Sequence, residues 1–139
     1  MAEALAQKTI QFELVSSECV LVSEPAAMVV VPGAAGEFGV LPDHAPLLSS
    51  IRPGVVAVYL PSGDVKKVFV AGGFADVNGK LCSVLAEEAV LVSALDRAQI
   101  QENLKQLNEE LKSVQGDELK SAHVRQHIAV AQAKLAAAA

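Results

Sequence analysis

Val55-Val56-Ala57-Val58-Tyr59-Leu60, then Pro61-Ser62-Gly63-Asp64, then Val65-Lys66-Lys67-Val68-Phe69-Val70 reads as two β-favouring runs around a four-residue break. Branched and aromatic side chains suit a pleated, half-buried surface. Proline and glycine suit the backbone angles of a tight turn. The spacing predicts a β-hairpin. The same pattern extends outward on both sides. Lys8 to Val15 alternates, with Ile10, Phe12 and Leu14 on one face and Gln11 and Glu13 on the other, the period of a half-buried strand. Cys19 to Val22 and Ala26 to Val31 follow, separated by Glu24-Pro25, and Pro32-Gly33 ends the second run. Beyond the hairpin, Phe74 to Val77 and Leu81 to Leu85 flank Asn78-Gly79, a pair suited to a type I′ turn with positive φ at both residues. Val90 to Val92 closes the set. Short strands with Gly and Pro turns and no intervening helix predict an antiparallel sandwich or barrel of roughly eight to ten strands.

The period changes near Ser93. From there to the end there is no proline and a single glycine, Gly116. Ile100, Leu104, Leu107, Leu111 and Val114 fall on one stripe of a helix. Asp96 with Gln99 predicts a capped helix start. Gly116 suits a helix end and Asp117 the N-cap of a second helix, whose stripe is Val124, Ile128, Ala131 and Leu135. The reading is a mainly β chain plus α: a β-sandwich domain over 1–92 and an antiparallel two-helix hairpin over 93–139.

The core must be aliphatic, because the chain has no Trp, one Tyr and four Phe among its 139 residues. A net charge of -5 argues against nucleic acid as a partner, which needs clustered Lys and Arg. It also argues against broad adhesion to an anionic membrane surface. The charge is uneven. Residues 1–92 hold ten acidic and five basic side chains, and 93–139 hold six of each. Leu119 to Ala139 holds Lys120, Arg125 and Lys134 and no carboxylate. Cys19 and Cys82 lie in apolar runs and read as two buried free thiols. No segment reaches the roughly 18 apolar residues of a membrane span, and the N-terminus has no apolar core of a signal peptide. The sequence therefore predicts a soluble, non-secreted protein whose membrane contact comes only through a partner.

Motifs for chemistry are missing. There is no G-x-x-x-x-G-K-[ST] and no G-x-S-x-G. Gly33-Ala34-Ala35-Gly36 has the wrong spacing for a dinucleotide fingerprint and reads as a turn. Glu87 and Glu88 are adjacent in a strand, so they point to opposite faces and are poorly placed for paired acid–base work. His123 and His127 would share a helix face, but the intervening residues lack the glutamate of H-E-x-x-H, and a closed zinc site needs two more ligands. They read as two polar-face histidines. His44 lies in Leu41-Pro42-Asp43-His44-Ala45-Pro46, where two prolines stiffen the backbone. Such a loop either presents residues to a partner or makes a corner in which His44 bonds a backbone carbonyl. No catalytic residue, metal or cofactor is expected.

The run Gly36-Glu37-Phe38-Gly39-Val40-Leu41-Pro42-Asp43-His44-Ala45-Pro46-Leu47-Leu48 resembles the signature of the epsilon-subunit family of F-type ATP synthases. So do Arg52-Pro53-Gly54-Val55, Gly72-Gly73-Phe74 and Val84-Leu85-Ala86-Glu87-Glu88-Ala89, in order and spacing. The resemblance spans essentially the whole chain, although the helices are generic. It implies a sandwich of about ten strands, a non-catalytic place at the foot of the central stalk, and binding to the gamma subunit and the c-ring. It puts Glu37, Phe38, Leu41, Pro42 and His44 on the ring and gamma side. It implies a helical hairpin with two states, folded on the sandwich or extended along gamma toward the alpha/beta catalytic head, where it inhibits ATP hydrolysis with Lys120 and Arg125 meeting an acidic segment of the beta subunit. Some members bind ATP through D-x-x-R-A at the start of the first helix. Here Asp96 is followed directly by Arg97, two positions too early, and Arg125 is the arginine of the second helix. Asp96, Arg97 and Arg125 are therefore weak nucleotide candidates, and weak or no ATP binding is expected.

The resemblance implies the cytoplasmic face of a bacterial inner membrane. The mitochondrial counterpart, called delta there, shares the fold and would sit on the matrix face; a start at Met1 without an Arg-rich segment favours the bacterial reading. A different class also fits the pattern: a ligand-binding β-sandwich whose tail dimerises as a coiled coil through Ile100 to Val114.

Overall fold

The computed structural model describes residues 8–16 and 19–138. They form two compact units, one up to Ala89 and one from Val90 onward. In the first, β1 (Ile10–Val15), β2 (Val20–Ala26), β3 (Met28–Gly33), β4 (Gly36–Val40), β5 (Leu47–Ser50), β6 (Gly54–Tyr59), β7 (Val65–Val77) and β8 (Leu81–Leu91) follow in order. The hydrogen-bonded order is β2-β1-β8-β7-β6-β3-β4, with β5 paired to β7. One apolar cluster fills the interior, with Phe12, Leu14, Val29, Val31, Val58, Val70, Val77 and Val84 among its fully or nearly fully buried members. The mainly β class and the sandwich are as the alternation predicts.

The count is eight strands among the described residues, not ten. Runs that read as separate strands in the sequence are continuous. β7 joins Val65–Val70 to Phe74–Val77 through Gly72-Gly73, and β8 carries Leu81–Leu85 on to Leu91. The reason is a phase slip at the glycines. The core-facing residues of β7 are Val68 and Val70 before them but Ala75 and Val77 after them. Both glycines have positive φ, 72° at Gly72 and 114° at Gly73, a region that L-residues rarely occupy. A Cβ on Gly73 would lie 1.9 Å from the Leu85 carbonyl oxygen. The strand thus pairs with β6 from Val65 to Val70 and with β5 from Phe74 to Val77. One strand changes neighbours partway along its length, as a bulge-like slip allows.

Three further expectations are corrected. β1 pairs with β8 in parallel, Gln11 opposite Leu81 and Val15 opposite Leu85, so the sandwich is not wholly antiparallel. The chain between those two strands is far longer than a hairpin, as parallel pairing requires. Glu24-Pro25 does not separate two strands; it lies inside β2, at one end of the sheet order, where a proline leaves no ladder donor unmet. Asn78-Gly79 is not a type I′ turn, since neither residue has positive φ. Instead Asn78 Oδ1 accepts from the Lys80 and Leu81 amides at 2.8 and 2.9 Å, an Asx-type turn.

The second unit holds a short 3-10 turn (Val92–Ala94), α1 (Arg97–Ser113) and α2 (Glu118–Ala137). Asp96 Oδ1 accepts from the Ala98 and Gln99 amides, and Asp117 Oδ1 from the Lys120 amide. Both acids cap helix N-termini as expected. Gly116 takes φ 95° in the connection, and the Ser121 hydroxyl donates to the Val114 carbonyl at 2.9 Å across it. The two helices pack on each other. Among the described residues, none of the helices is long and apolar enough to cross a membrane.

Candidate partner-binding surfaces

The run from Gly36 to Leu48 folds into β4, a corner and β5. On β4 the alternation turns Phe38 and Val40 inward and leaves Glu37 exposed. Phe38 packs against the core, and its ring would sit 2.9 Å from a Cβ on Gly33. Of the predicted contact residues, Phe38 is thus mainly a packing residue. Glu37 and Leu41 are exposed, and Pro42 and His44 are half-buried.

The corner itself is pinned at both ends. Asp43 adopts φ 68°, and its amide donates to the Gly79 carbonyl at 2.8 Å. The His44 amide donates to the Leu41 carbonyl at 3.1 Å, and the Ala45 carbonyl bonds His44 Nδ1 at 2.6 Å. The backbone-carbonyl bond that one reading of His44 expects is present. Lys8 Nζ lies 3.2 Å from Asp43 Oδ2, an exposed pair. This corner is stiff because its backbone groups are spent within it and on the turn after β7.

A second surface escaped the sequence reading. Leu48, Phe74 and Leu85 are 70%, 53% and 52% exposed. With Asp76 and Ser83 they line a shallow groove of about 420 Å³ on the sandwich. The register explains the grouping, since Leu48 pairs with Asp76 and Ser50 with Phe74. The signal was present but unreadable. Only after the slip at Gly72-Gly73 turns Ala75 and Val77 inward does Phe74 occupy a solvent-facing position. Clustered large apolar side chains on an outer face mark interaction surfaces.

On α2, Lys120 and Arg125 are both exposed. Five positions place them roughly 140° apart around a helix, so they do not form one basic face. Arg125 Nη2 is 3.4 Å from Glu118 Oε1. Leu119, 85% exposed, sits beside a groove lined by Glu110, Val114, Lys120 and His123. The nucleotide candidates are not assembled either. Asp96 spends a carboxylate oxygen on its cap, and the groove of about 500 Å³ beside it is lined by Gln99, Asn103, Gln106 and Lys134 but by neither Arg97 nor Arg125. Cys82 is buried, and desolvation pushes its thiol up to about 12; Cys19, expected to be buried, is exposed. It lies just outside β2, beyond the reach of the core.

Comparison with known proteins agrees with this layout. Residues 9–92 match the family described as ATP synthase, Delta/Epsilon chain, beta-sandwich domain. The ATP synthase epsilon chain of Rhodospirillum rubrum is 45% identical over 130 residues, 94% of this chain and 96% of that one. That of Mesorhizobium japonicum is 43% identical, over 87% of this chain and 86% of its own. A chain of the Euglena gracilis mitochondrial ATP synthase superposes with a TM-score of 0.82 at 23% identity, covering 93% of this chain and 81% of that one, a likeness of fold. The chain belongs to the delta/epsilon-chain family of ATP synthase.

Proposed function

We propose that this chain is a central-stalk rotor subunit of an F-type ATP synthase, coupling proton-driven c-ring rotation to ATP synthesis through gamma without a catalytic site of its own. Identity of 45% to an epsilon chain over 94% of this chain supports the reading. The observation that carries it is the pairing of a stiff corner with an unpartnered apolar groove. In this reading the Leu48–Phe74–Leu85 groove seats on gamma, and Glu37, Leu41, Pro42 and His44 face gamma and the polar loops of the c-ring. Phe38 supports that corner from beneath. Membrane association comes through the complex, at the cytoplasmic face of a bacterial inner membrane.

Residues 1–92 and 93–139 act as separate modules in this proposal. The hairpin inhibits ATP hydrolysis when it reaches the alpha/beta head, with Lys120 and Arg125 toward an acidic segment of beta. Docking of α2 depends on few large side chains, Val124, Ile128 and Leu135. Val124 is buried and Ile128 and Leu135 are half-buried, so at roughly 1.5–3 kcal/mol for each full burial gross docking stays below about 9 kcal/mol, and ordering costs reduce it. Eight of the eighteen residues from Ala122 to Ala139 are alanine, so α2 stays helical when released.

The test is isolation of the tagged sandwich end from native membranes in mild detergent. Gamma, alpha, beta and c subunits are expected in fixed proportion, and Phe74→Asp is expected to lose them. Recovery of the chain alone, or equal recovery with Phe74→Asp, would refute the assignment of this groove. Truncation after Gly116 is expected to raise ATP hydrolysis by the assembled complex; unchanged hydrolysis would remove the inhibitory role.

A further inference from the structure

His123 and His127 remain outside the roles above. Both are exposed on α2, and the structure brings their rings to a centroid separation of 4.4 Å at an interplanar angle of 55°. Rings this close, one helical turn apart, put two imidazoles within reach of a single ion, whose bonds to imidazole nitrogen run about 2.0–2.1 Å.

The geometry points to a two-histidine chelate on α2 for a divalent transition-metal ion of the class that imidazole suits, such as Ni(II), with water in the remaining positions. Among the described residues no cluster of three or more His, Cys, Asp or Glu side chains is placed to hold a metal, so the site is an open clip and not a closed structural centre. Glu118 faces Arg125 and Lys120 lies one turn before His123; charge therefore adds little, and binding comes from the two imidazole lone pairs. The ligands are four residues apart, so they converge only when that turn is helical. The ion thus binds the helical form and stabilises it by mass action.

The test is titration of the untagged full chain, carrying Cys19→Ser to remove the exposed thiol, with nickel chloride by calorimetry. One equivalent is expected, weakened at least about tenfold by His123→Asn and by His127→Asn, as loss of a chelating partner requires. Nickel is expected to raise the melting transition of the helical signal in the parent chain and not in either variant. Equal affinity in parent and variants would overturn the site.

Discussion

The sandwich and the helical hairpin solve opposite problems with the same aliphatic side chains. In the sandwich, all the strands except β5 contribute to one interior; Ile10, Phe12, Leu14, Val29, Val31, Val56 and Val58 are wholly out of water. In the unit from Val90 onward, only Ile100, Ser121, Val124 and Ala131 are buried among the described residues. Its stripe residues Leu104, Leu107, Leu111, Ile128 and Leu135 are half-buried. The sandwich owes its stability to close crossing of backbones and a filled core. The hairpin owes its form to local propensity and caps, with tertiary contact thin.

Breaking the close crossing should show the largest effect. Gly73→Ala meets both a φ of 114° and the Leu85 carbonyl at 1.9 Å, so a loss of roughly 3–5 kcal/mol is expected in urea unfolding of the sandwich. An unchanged midpoint would mean the glycine crossing is not what holds β7 against β8.

Alkaline pH probes the same core from within. The Cys82 thiol is raised from 9.0 to about 12 by burial, so above pH 9 the unfolded chain sheds a proton that the folded chain keeps. Stability falls as pH rises between about 9 and 12, by about 1.4 kcal/mol per pH unit from this group. Cys82→Ala should flatten that slope in equilibrium unfolding, and iodoacetamide at neutral pH should label Cys19 and spare Cys82 until the sandwich opens.

The hairpin should respond more gently and separately. Val124→Ala is expected to cost about 1–2 kcal/mol and to speed amide exchange in α2 while leaving β7 and β8 unchanged. Strand and helix exchange rising together would erase the distinction between the two units. Smallest of all, Asp96→Ala and Asp117→Ala should each cost about 1 kcal/mol of helix stability, read by circular dichroism at 222 nm on melting.

How much was legible follows from the range of the interactions concerned. The helix caps at Asp96 and Asp117 and the stripes on α1 and α2 were readable because their determinants lie within one or two turns. The alternation of β1 and the hairpin between β6 and β7 were readable for the same reason. The Asn78 turn was misread because its side chain, rather than positive φ, closes the bend. The Leu48–Phe74–Leu85 groove was missed because three strands assemble it. The run from Gly36 to Leu48 was noticed as a whole, but which of its side chains face solvent depends on the pairing of β4 with β3 and on the grip of Gly79 on Asp43.

The amino-acid order alone therefore determined the class of fold, the change from period two to helical period near Ser93, and both helix starts. Each is set by propensity and spacing within a few residues. Tertiary structure alone decided that β7 and β8 are single strands and that β1 runs parallel to β8. It also decided that Phe74 faces water and that Phe38 does not. The continuous course of β7 and the exposure of Phe74 hang on one phase slip at Gly72-Gly73, beside the Leu85 carbonyl twelve residues further along the chain, and no local pattern records where that carbonyl will pass.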